Sequence, residues 1–450
     1  MSERARGGSW PRRLGVAALK TDPFIRALAL LPGRGAVVLR YHSVNDDPVW
    51  ARECVQPSLV VPSSVFDAQV AYLARRHRVV GIGEIVEAMR EGRALDRRLV
   101  AITFDDGYED NYRKAFPILR RHGATAAFYV TTGSVGDARP LWTLEVRRAV
   151  MRAQKPALEL SFRKGAPLDV STDDAREKAV RELAGYVKRC SGPEARAGLA
   201  EILAATGATG ASGGSERRTM MNWDEIREMH RAGMTIGAHT GEHLNLPSLS
   251  DADLEKEVHG SRNALAVALD APVEHFAYPN GRTDCHFDAR VAGVVAAAGF
   301  ISAVTSVSGP ASRRFSVFGI PRLGVYGRHD DVARLAVDIH CARMCRPSSP
   351  RLPNSRSCFE EPYRRTFHPR RVGFQFRRAR DQALPKHLPT RWGNYLPPAP
   401  WTGSYRRPSS AGDDPRTAAP NTDSEWNLGA RNRPAWREGT STYWHRWDQD

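Results

Sequence analysis

The sequence predicts an α/β fold built on a mostly parallel β-sheet with crossover helices, either open or closed into a barrel. Two observations carry this. From about residue 35 to 339, short apolar runs alternate with helical patterns, and β-then-α alternation calls for crossover connections between parallel strands. Most of the runs are apolar on successive residues and bounded by Gly, Pro or Asp, as strands buried on both faces are.

The elements follow in order. Ala36–Leu39 and Leu99–Phe104 read as buried strands, and so do Ala126–Val130, Met234–Ala238, His275–Tyr278 and Phe300–Val304. Between them, Phe66, Val70 and Leu73 share one face of a helix that follows Ser64. Asn222 and Glu225 form a capping pair ahead of Ile226 and Met229, and Gly233 is placed to end that helix. Ser250 reads as an N-cap, with Leu254, Val258, Leu265 and Leu269 on one stripe.

Residues 140–220 interrupt the rhythm and read as an insertion covering the site. Leu141–Ala153 is helical in pattern. Leu158, Leu160 and Phe162 alternate with polar residues and pair with Leu168–Val170 as a small hairpin. Ala175–Ala205 reads as a long, charged helical stretch, and Thr206–Arg218 as a Gly/Ser-rich loop. The basic segment 1–34 precedes the domain. Its Trp10–Leu31 stretch reads as a helix packed on the domain or as a weak interfacial helix, without the pattern of a secretory signal or the length of a membrane span. These features lead to the expectation of a cytoplasmic protein or one peripheral at the inner membrane.

Charge is unevenly spread. The net charge is +16, and residues 340–450 hold 20 Lys+Arg against 10 Asp+Glu. That tail has 14 Pro and six of the ten Trp but only ten Val, Ile, Leu and Phe, too few to support a core, so it is expected to be disordered. A contact with an acidic polymer, nucleic acid or membrane surface through the basic termini is one reading of it; an out-of-frame extension is another. No nucleic-acid partner is expected from the core domain. The six cysteines are scattered, and Cys341 and Cys345 lack a second ligand pair, so unpaired thiols are expected.

Three segments carry chemistry. Thr103-Phe104-Asp105-Asp106-Gly107-Tyr108 puts two adjacent carboxylates at a strand's C-terminal end, where active sites of parallel β/α folds lie. Buried bare carboxylates are costly, and a cation would neutralise one and leave the other a separate role. Gly237–His243 places His239 and His243 four residues apart just past another strand. One Asp and two His suit a divalent metal and leave positions for water and substrate. Phe276-Ala277-Tyr278-Pro279-Asn280-Gly281 ends a strand in a turn that reads as a plain strand terminator or as a pocket wall lined by backbone N–H groups.

In this order and spacing, the segments resemble the polysaccharide deacetylase family, the NodB-like family-4 carbohydrate esterases, over roughly residues 35–330. Arg40-Tyr41-His42-Ser43-Val44, Phe116-Pro117-Ile118-Leu119 and Ile320-Pro321-Arg322-Leu323 support the match. The resemblance implies an irregular (β/α) barrel of about seven parallel strands and a hydrolase releasing acetyl groups from an acetylated carbohydrate, working as a monomer. It implies one divalent metal, typically Zn2+, on Asp106, His239 and His243, with Asp105 as general base and Thr240 bracing the second motif. Tyr278, Pro279 and Asn280 would form the oxyanion and substrate loop. Two departures stand out. Ala277 occupies the position where the family often has Arg, as in a branch reading F-A-Y-P, and Arg322 is the candidate replacement charge. The usual late Leu-x-x-His is absent between Arg282 and Arg328, and His286 lacks the preceding Leu, so His42 is the candidate general acid. The alternatives are a degenerate carbohydrate-binding barrel and a deacylase of a non-sugar amide.

Overall fold

The computed structural model describes residues 35–139, 141–207, 218–283, 285–327 and 331–344. The N-terminal segment 1–34, most of the Gly/Ser-rich loop, and the tail beyond Met344 lie outside the described residues, and with them the expectations made for those stretches. The described residues all fall within one compact unit.

The main sheet has eight strands: β1 Val37–Tyr41, β2 Arg78–Val79, β3 Leu99–Phe104, β4 Ala127–Val130, β5 Thr235–Ala238, β6 His275–Ala277, β7 Ser302–Val304 and β8 Leu323–Gly324. Seven run in the order β7-β6-β5-β4-β3-β1-β8, and β2 pairs with the start of β3. Every pairing is parallel, as the uninterrupted apolar runs require. The sheet curls until its edges meet. A parallel bridge joins Val304, at the end of β7, to Ile320, just before β8, with Thr305 N–H donating to Ile320 O at 2.9 Å.

Alternation along the strands sorts residues to two faces. Val37, Leu39, Tyr41, Val100, Ile102, Phe104 and Phe128 pack outward under the helices, where Tyr41, Phe104 and Phe128 stack in series. Ala36, Val38, Ala101, Ala127, Tyr129, Ala277, Val304 and Ile320 form a separate inner cluster, joined by Ile82, Ile85, Val86 and Met89 of the helix Ile82–Arg90. Thr103 and Asp105 share the parity of Ala101, so they follow the inner face upward toward the mouth.

Helix Ser63–Arg76 buries Phe66, Val70 and Leu73 as expected. The Asn222–Glu225 capping box, the turn at Gly233 (φ +86°) and the Ser250 N-cap are all present. The insertion holds helix Trp142–Met151 and an antiparallel pair, Ala157–Leu158 with Leu168–Asp169. The helical stretch expected from Ala175 to Ala205 consists of two helices, Asp173–Arg189 and Gly192–Thr206. The break lies at Ser191, whose side chain and Glu194 make a capping box, with Pro193 in the first turn of the new helix. Helix Val332–Met344 runs past residue 339, with Ile339 and Ala342 buried.

Candidate metal centre and active site

Strand register sets the height of the site. Tyr41 pairs with Phe104, and Asp105 N–H donates to Tyr41 O at 3.1 Å. His239 N–H donates to Val130 O at 2.9 Å, and Tyr278 N–H to Val304 O at 3.2 Å. The residues that follow β1, β3, β5 and β6 therefore open at one end of the barrel, the C-terminal end where parallel β/α folds place chemistry.

Each chemical loop leaves its strand through an unusual backbone conformation. Of six non-glycine residues with positive φ among those described, four lie here: Asp106 (+76°), Thr240 (+68°), His243 (+57°) and Asn280 (+60°). A β-branched Thr in that region is disfavoured, and such residues persist where surrounding contacts over-determine them, commonly at functional sites. Such contacts are present here. Thr240 Oγ1 accepts His243 N–H at 2.9 Å, and Glu257 accepts Gly241 N–H at 2.9 Å and Glu242 N–H at 2.8 Å.

Asp106, His239 and His243 converge. One ligand atom from each lies within 4.8 Å of the others, and all three residues are buried. His239 Nε2 and His243 Nε2 stand 3.5 Å and 3.4 Å from Asp106 Oδ1. His239 Nδ1 is 2.8 Å from the carbonyl of Ala277; since a carbonyl only accepts, Nδ1 carries the hydrogen and Nε2 offers its lone pair. Burial works against the Asp106 charge, but the neighbouring imidazoles of His239, His243 and His42 outweigh it and hold the carboxyl well below the usual range. Burial pushes His243 down to about 3, so at neutral pH it is an uncharged donor. An ionised carboxylate and two imidazole nitrogens, buried and converging, fit a divalent cation. Tyr108 directs its hydroxyl to the Asp106 carboxylate.

Asp105 faces the other way. Arg322 grips it with both nitrogens, Nη1 to Oδ1 and Nη2 to Oδ2, each at 2.7 Å. The guanidinium is fully buried and fixed on its remaining sides. Nε donates to Thr305 O at 2.7 Å, Nη1 also reaches Thr103 Oγ1 at 3.1 Å, and the group lies 5.6 Å from the centre of the Tyr129 ring. Burial raises the Asp105 pKa, yet the Arg322 charge outweighs it and brings the group to about 2.

The remaining expected residues fall as follows. His42 follows β1 and lies close enough for the charges of Asp105 and Asp106 to act on it; burial nevertheless lowers it to about 4, and its Nδ1 is buried without a partner among the described residues. Tyr278 is part of the core, stacked on Phe287 with ring centres 4.3 Å apart and its hydroxyl donating to Phe318 O at 3.0 Å. Pro279 and Asn280 turn the chain at the mouth, where Asn280 Nδ2 is buried without a partner among the described residues and Gly281 N–H closes onto Pro279 O at 2.6 Å.

Several contacts went unread in the sequence. Trp142 Nε1 donates to the carbonyl of His243 at 2.9 Å, so the insertion touches the second motif directly. Glu242, between the two histidines, pairs with Arg139 at 2.5 Å and with Arg196 of the insertion at 3.1 Å. Glu257 lies in a distant helix whose sequence gives no sign of its role. Trp142 begins a helix in a segment with no counterpart in the motifs.

The fold and the site together define a metal-centre barrel with a carboxylate held beside the metal ligands. Comparison with known proteins agrees. The polysaccharide deacetylase family model matches residues 92–156 and 193–301, which include both carboxylates and both histidines. YxkH of Bacillus subtilis (strain 168), whose name is that of a polysaccharide deacetylase, is 30% identical over 105 residues, 23% of this chain and 34% of that protein. The poly-β-1,6-N-acetyl-D-glucosamine N-deacetylase of Escherichia coli (strain K12) is 36% identical over 90 residues, 20% of this chain and 13% of that one. The chain thus spans about a third or less of the length of these relatives. Among solved structures, the Streptococcus pyogenes deacetylase PplD in complex with acetate aligns over 68% of this chain and 99% of that one, at 18% identity and a TM-score of 0.45. Over the matched residues the chain is thus similar to the polysaccharide deacetylase family.

Proposed function

We propose that the protein is a metal-dependent hydrolase that removes N-acetyl or O-acetyl groups from a polysaccharide, oligosaccharide or lipid-linked sugar. The observation that carries this is the pairing of two adjacent carboxylates with opposite surroundings: Asp106 facing two histidines, and Asp105 gripped by Arg322. Asp106, His239 and His243 would hold the divalent ion, which when bound supplies Lewis-acid polarisation of an acetyl carbonyl and acidification of a water. The donor set favours Zn2+.

The protein's own groups divide the rest. Asp105 takes the proton of the attacking water, and Arg322 fixes its orientation; the same grip makes it a weak base, suited to a water already acidified. His42 passes a proton to the leaving amine or alcohol. Because burial holds it neutral at pH 7, it must first receive the proton that Asp105 removes from water. The turn at Asn280, whose Nδ2 is buried without a partner among the described residues, would supply the N–H groups that stabilise the oxyanion. The F-A-Y-P reading of the third motif fits Arg322 serving where the family often has an Arg in that motif. A monomer, working in the cytoplasm or peripherally at the inner membrane, completes the reading; gel filtration and fractionation test those parts.

The test of function is acetate release. The full chain loaded with Zn2+ is incubated with acetylated glucosamine oligomers and chitin-type polymers. Acetate formed with the enzyme, and not with Asp105→Asn, supports the assignment. Metal bound without acetate from any glycan would redirect it to a non-sugar amide or to carbohydrate binding alone.

A further inference from the structure

We infer that Asp110 and Asn111 are positioning residues: together they hold the His42–Asn45 loop so that the His42 imidazole stands beside Asp105. This rests on the deacetylase reading above, in which His42 passes a proton to the leaving group, and adds what keeps His42 in place.

His42 is the joint between two sheets. β1 ends at Tyr41, and Ser43–Val44 already pairs with Val60–Val61 in a separate two-stranded sheet. On the barrel side, the ladder sets its height. Tyr41 pairs with Phe104, which brings His42 level with Asp105. Both share the parity of inner-face residues, Val38 on one strand and Ala101 on the other.

On its far side, two side chains fix the joint. Asn111 Nδ2 donates to the His42 carbonyl at 2.7 Å and to Asp110 Oδ1 at 3.0 Å. A carbonyl only accepts, so the amide must present its nitrogen here. Its own Oδ1 is left buried without a partner among the described residues. Asp110 then takes the residues that follow His42. Its carboxylate accepts Ser43 Oγ at 2.5 Å, Val44 N–H at 3.3 Å and Asn45 Nδ2 at 3.2 Å. Trp50 Nε1 in turn donates to Ser43 Oγ at 3.1 Å. Ser43, Asn45, Asp110 and Asn111 are all buried. A buried carboxylate met by neutral donors is costly unless those bonds are made, and here they converge on the loop that carries His42.

The clamp belongs to the segment that carries the chemistry. Asp105 and Asp106 follow β3, and Asn111 opens a single π-helical turn, Asn111–Ala115, a distortion frequent at functional sites. The stretch between is tied down: Asn111 N–H donates to Tyr108 O at 3.0 Å, and Glu109 N–H to Thr219 O at 2.8 Å. The proposed base, a metal ligand and the support of the proposed acid thus lie on one stretch, Asp105–Asn111, which ties the place of the acid to that of the base.

The test is Asn111→Leu, which keeps the shape of the side chain and removes its donor, with Asp110→Asn as the second variant should the first not fold. Each is made alone and together with His42→Ala in the full-length, Zn2+-loaded protein. Acetate release from acetylated glucosamine oligomers is measured. The expected result is a fall in kcat of about 10²-fold, as for a misplaced catalytic group, with KM and metal content at the wild-type level. In the His42→Ala background the same substitution lowers kcat little further, because the group it positions is gone. A brace of the fold alone would lower kcat by the same factor in both backgrounds. That result, or an unchanged kcat in the folded variant, would overturn the inference. Wild-type turnover in His42→Ala would also overturn it and leave the deacetylase reading standing. Amide hydrogen exchange is followed in parallel. Faster exchange is expected at Ser43, Val44 and Asn45 while Phe104–Asp106 keep their protection, and unchanged exchange at the three would count against the clamp. If wild type releases no acetate from any glycan, the deacetylase reading falls, and exchange alone decides whether Asp110 and Asn111 hold the loop.

Discussion

Replacing Arg322 with Met keeps most of the side-chain length and removes the charge that holds Asp105. Four contacts go with it: two bonds to the carboxylate and one each to Thr305 O and Thr103 Oγ1. Asp105 is 3% exposed, so no water replaces the guanidinium readily. Leaving one partner of a buried pair uncompensated costs about 3–5 kcal/mol. The carboxylate escapes part of that by binding a proton, because burial alone raises its pKa. A protonated or misplaced Asp105 cannot serve as base, and loss of a positioned base lowers turnover by about 10²–10⁴-fold. Urea denaturation followed by circular dichroism reads the first quantity, and acetate release by the folded fraction reads the second. Arg322→Lys should recover part of the stability and little of the turnover, since a point charge cannot grip both oxygens. If Arg322→Met unfolds within about 1 kcal/mol of wild type and releases acetate at the same rate, the pairing has neither a structural nor a catalytic role.

Three further outcomes follow from the geometry. Glu257→Ala removes the acceptor of the Gly241 and Glu242 N–H groups, so the loop carrying His243 loosens and metal affinity falls about 10–100-fold in competition with a chelator; unchanged affinity would show that the loop holds itself. His42→Ala should cut turnover heavily while metal content stays at the wild-type level, and unchanged turnover would take His42 out of the mechanism. His275, buried at the foot of β6 away from the metal ligands, is lowered by burial from 6.5 to about 4. A histidine depressed in the folded state binds its proton more readily when unfolded, so its contribution is full above pH 6.5 and is lost as pH falls toward 4. That amounts to about 3 kcal/mol. Denaturation midpoints across this range should slope by about one proton less in His275→Gln than in wild type, and parallel slopes would contradict the sign.

Much of the fold is legible in the chain because its strands are buried on both sides. Runs such as Leu99–Phe104 have no exposed face to interrupt them, and their limits were readable nearly to the residue. The site was readable for a related reason: Asp105, Asp106, His239 and His243 stand directly after strands, so sequence position fixes spatial height. What escaped is what depends on tertiary contact. Two-residue strands such as Arg78–Val79 are too short to show a period, and exist because β3 offers them an edge. The break between the two insertion helices was written in Ser191-Gly192-Pro193-Glu194 but outweighed by the helical composition on either side. Arg322 stood out as a spare charge near the end of the domain, though only the curl of the sheet puts it on Asp105. Nothing in the residues around Trp142 or Glu257 says that they meet the second motif, because each reaches it from a different element.

The most direct measurement is the metal content of the purified full-length protein beside three variants, Asp105→Asn, Asp106→Ala and His243→Ala. The account predicts one equivalent of a divalent metal in wild type and in Asp105→Asn, and little or none in the other two, with all four folded. No metal in wild type after equilibration with Zn2+, or a full equivalent retained by Asp106→Ala and His243→Ala alike, would contradict the central claim.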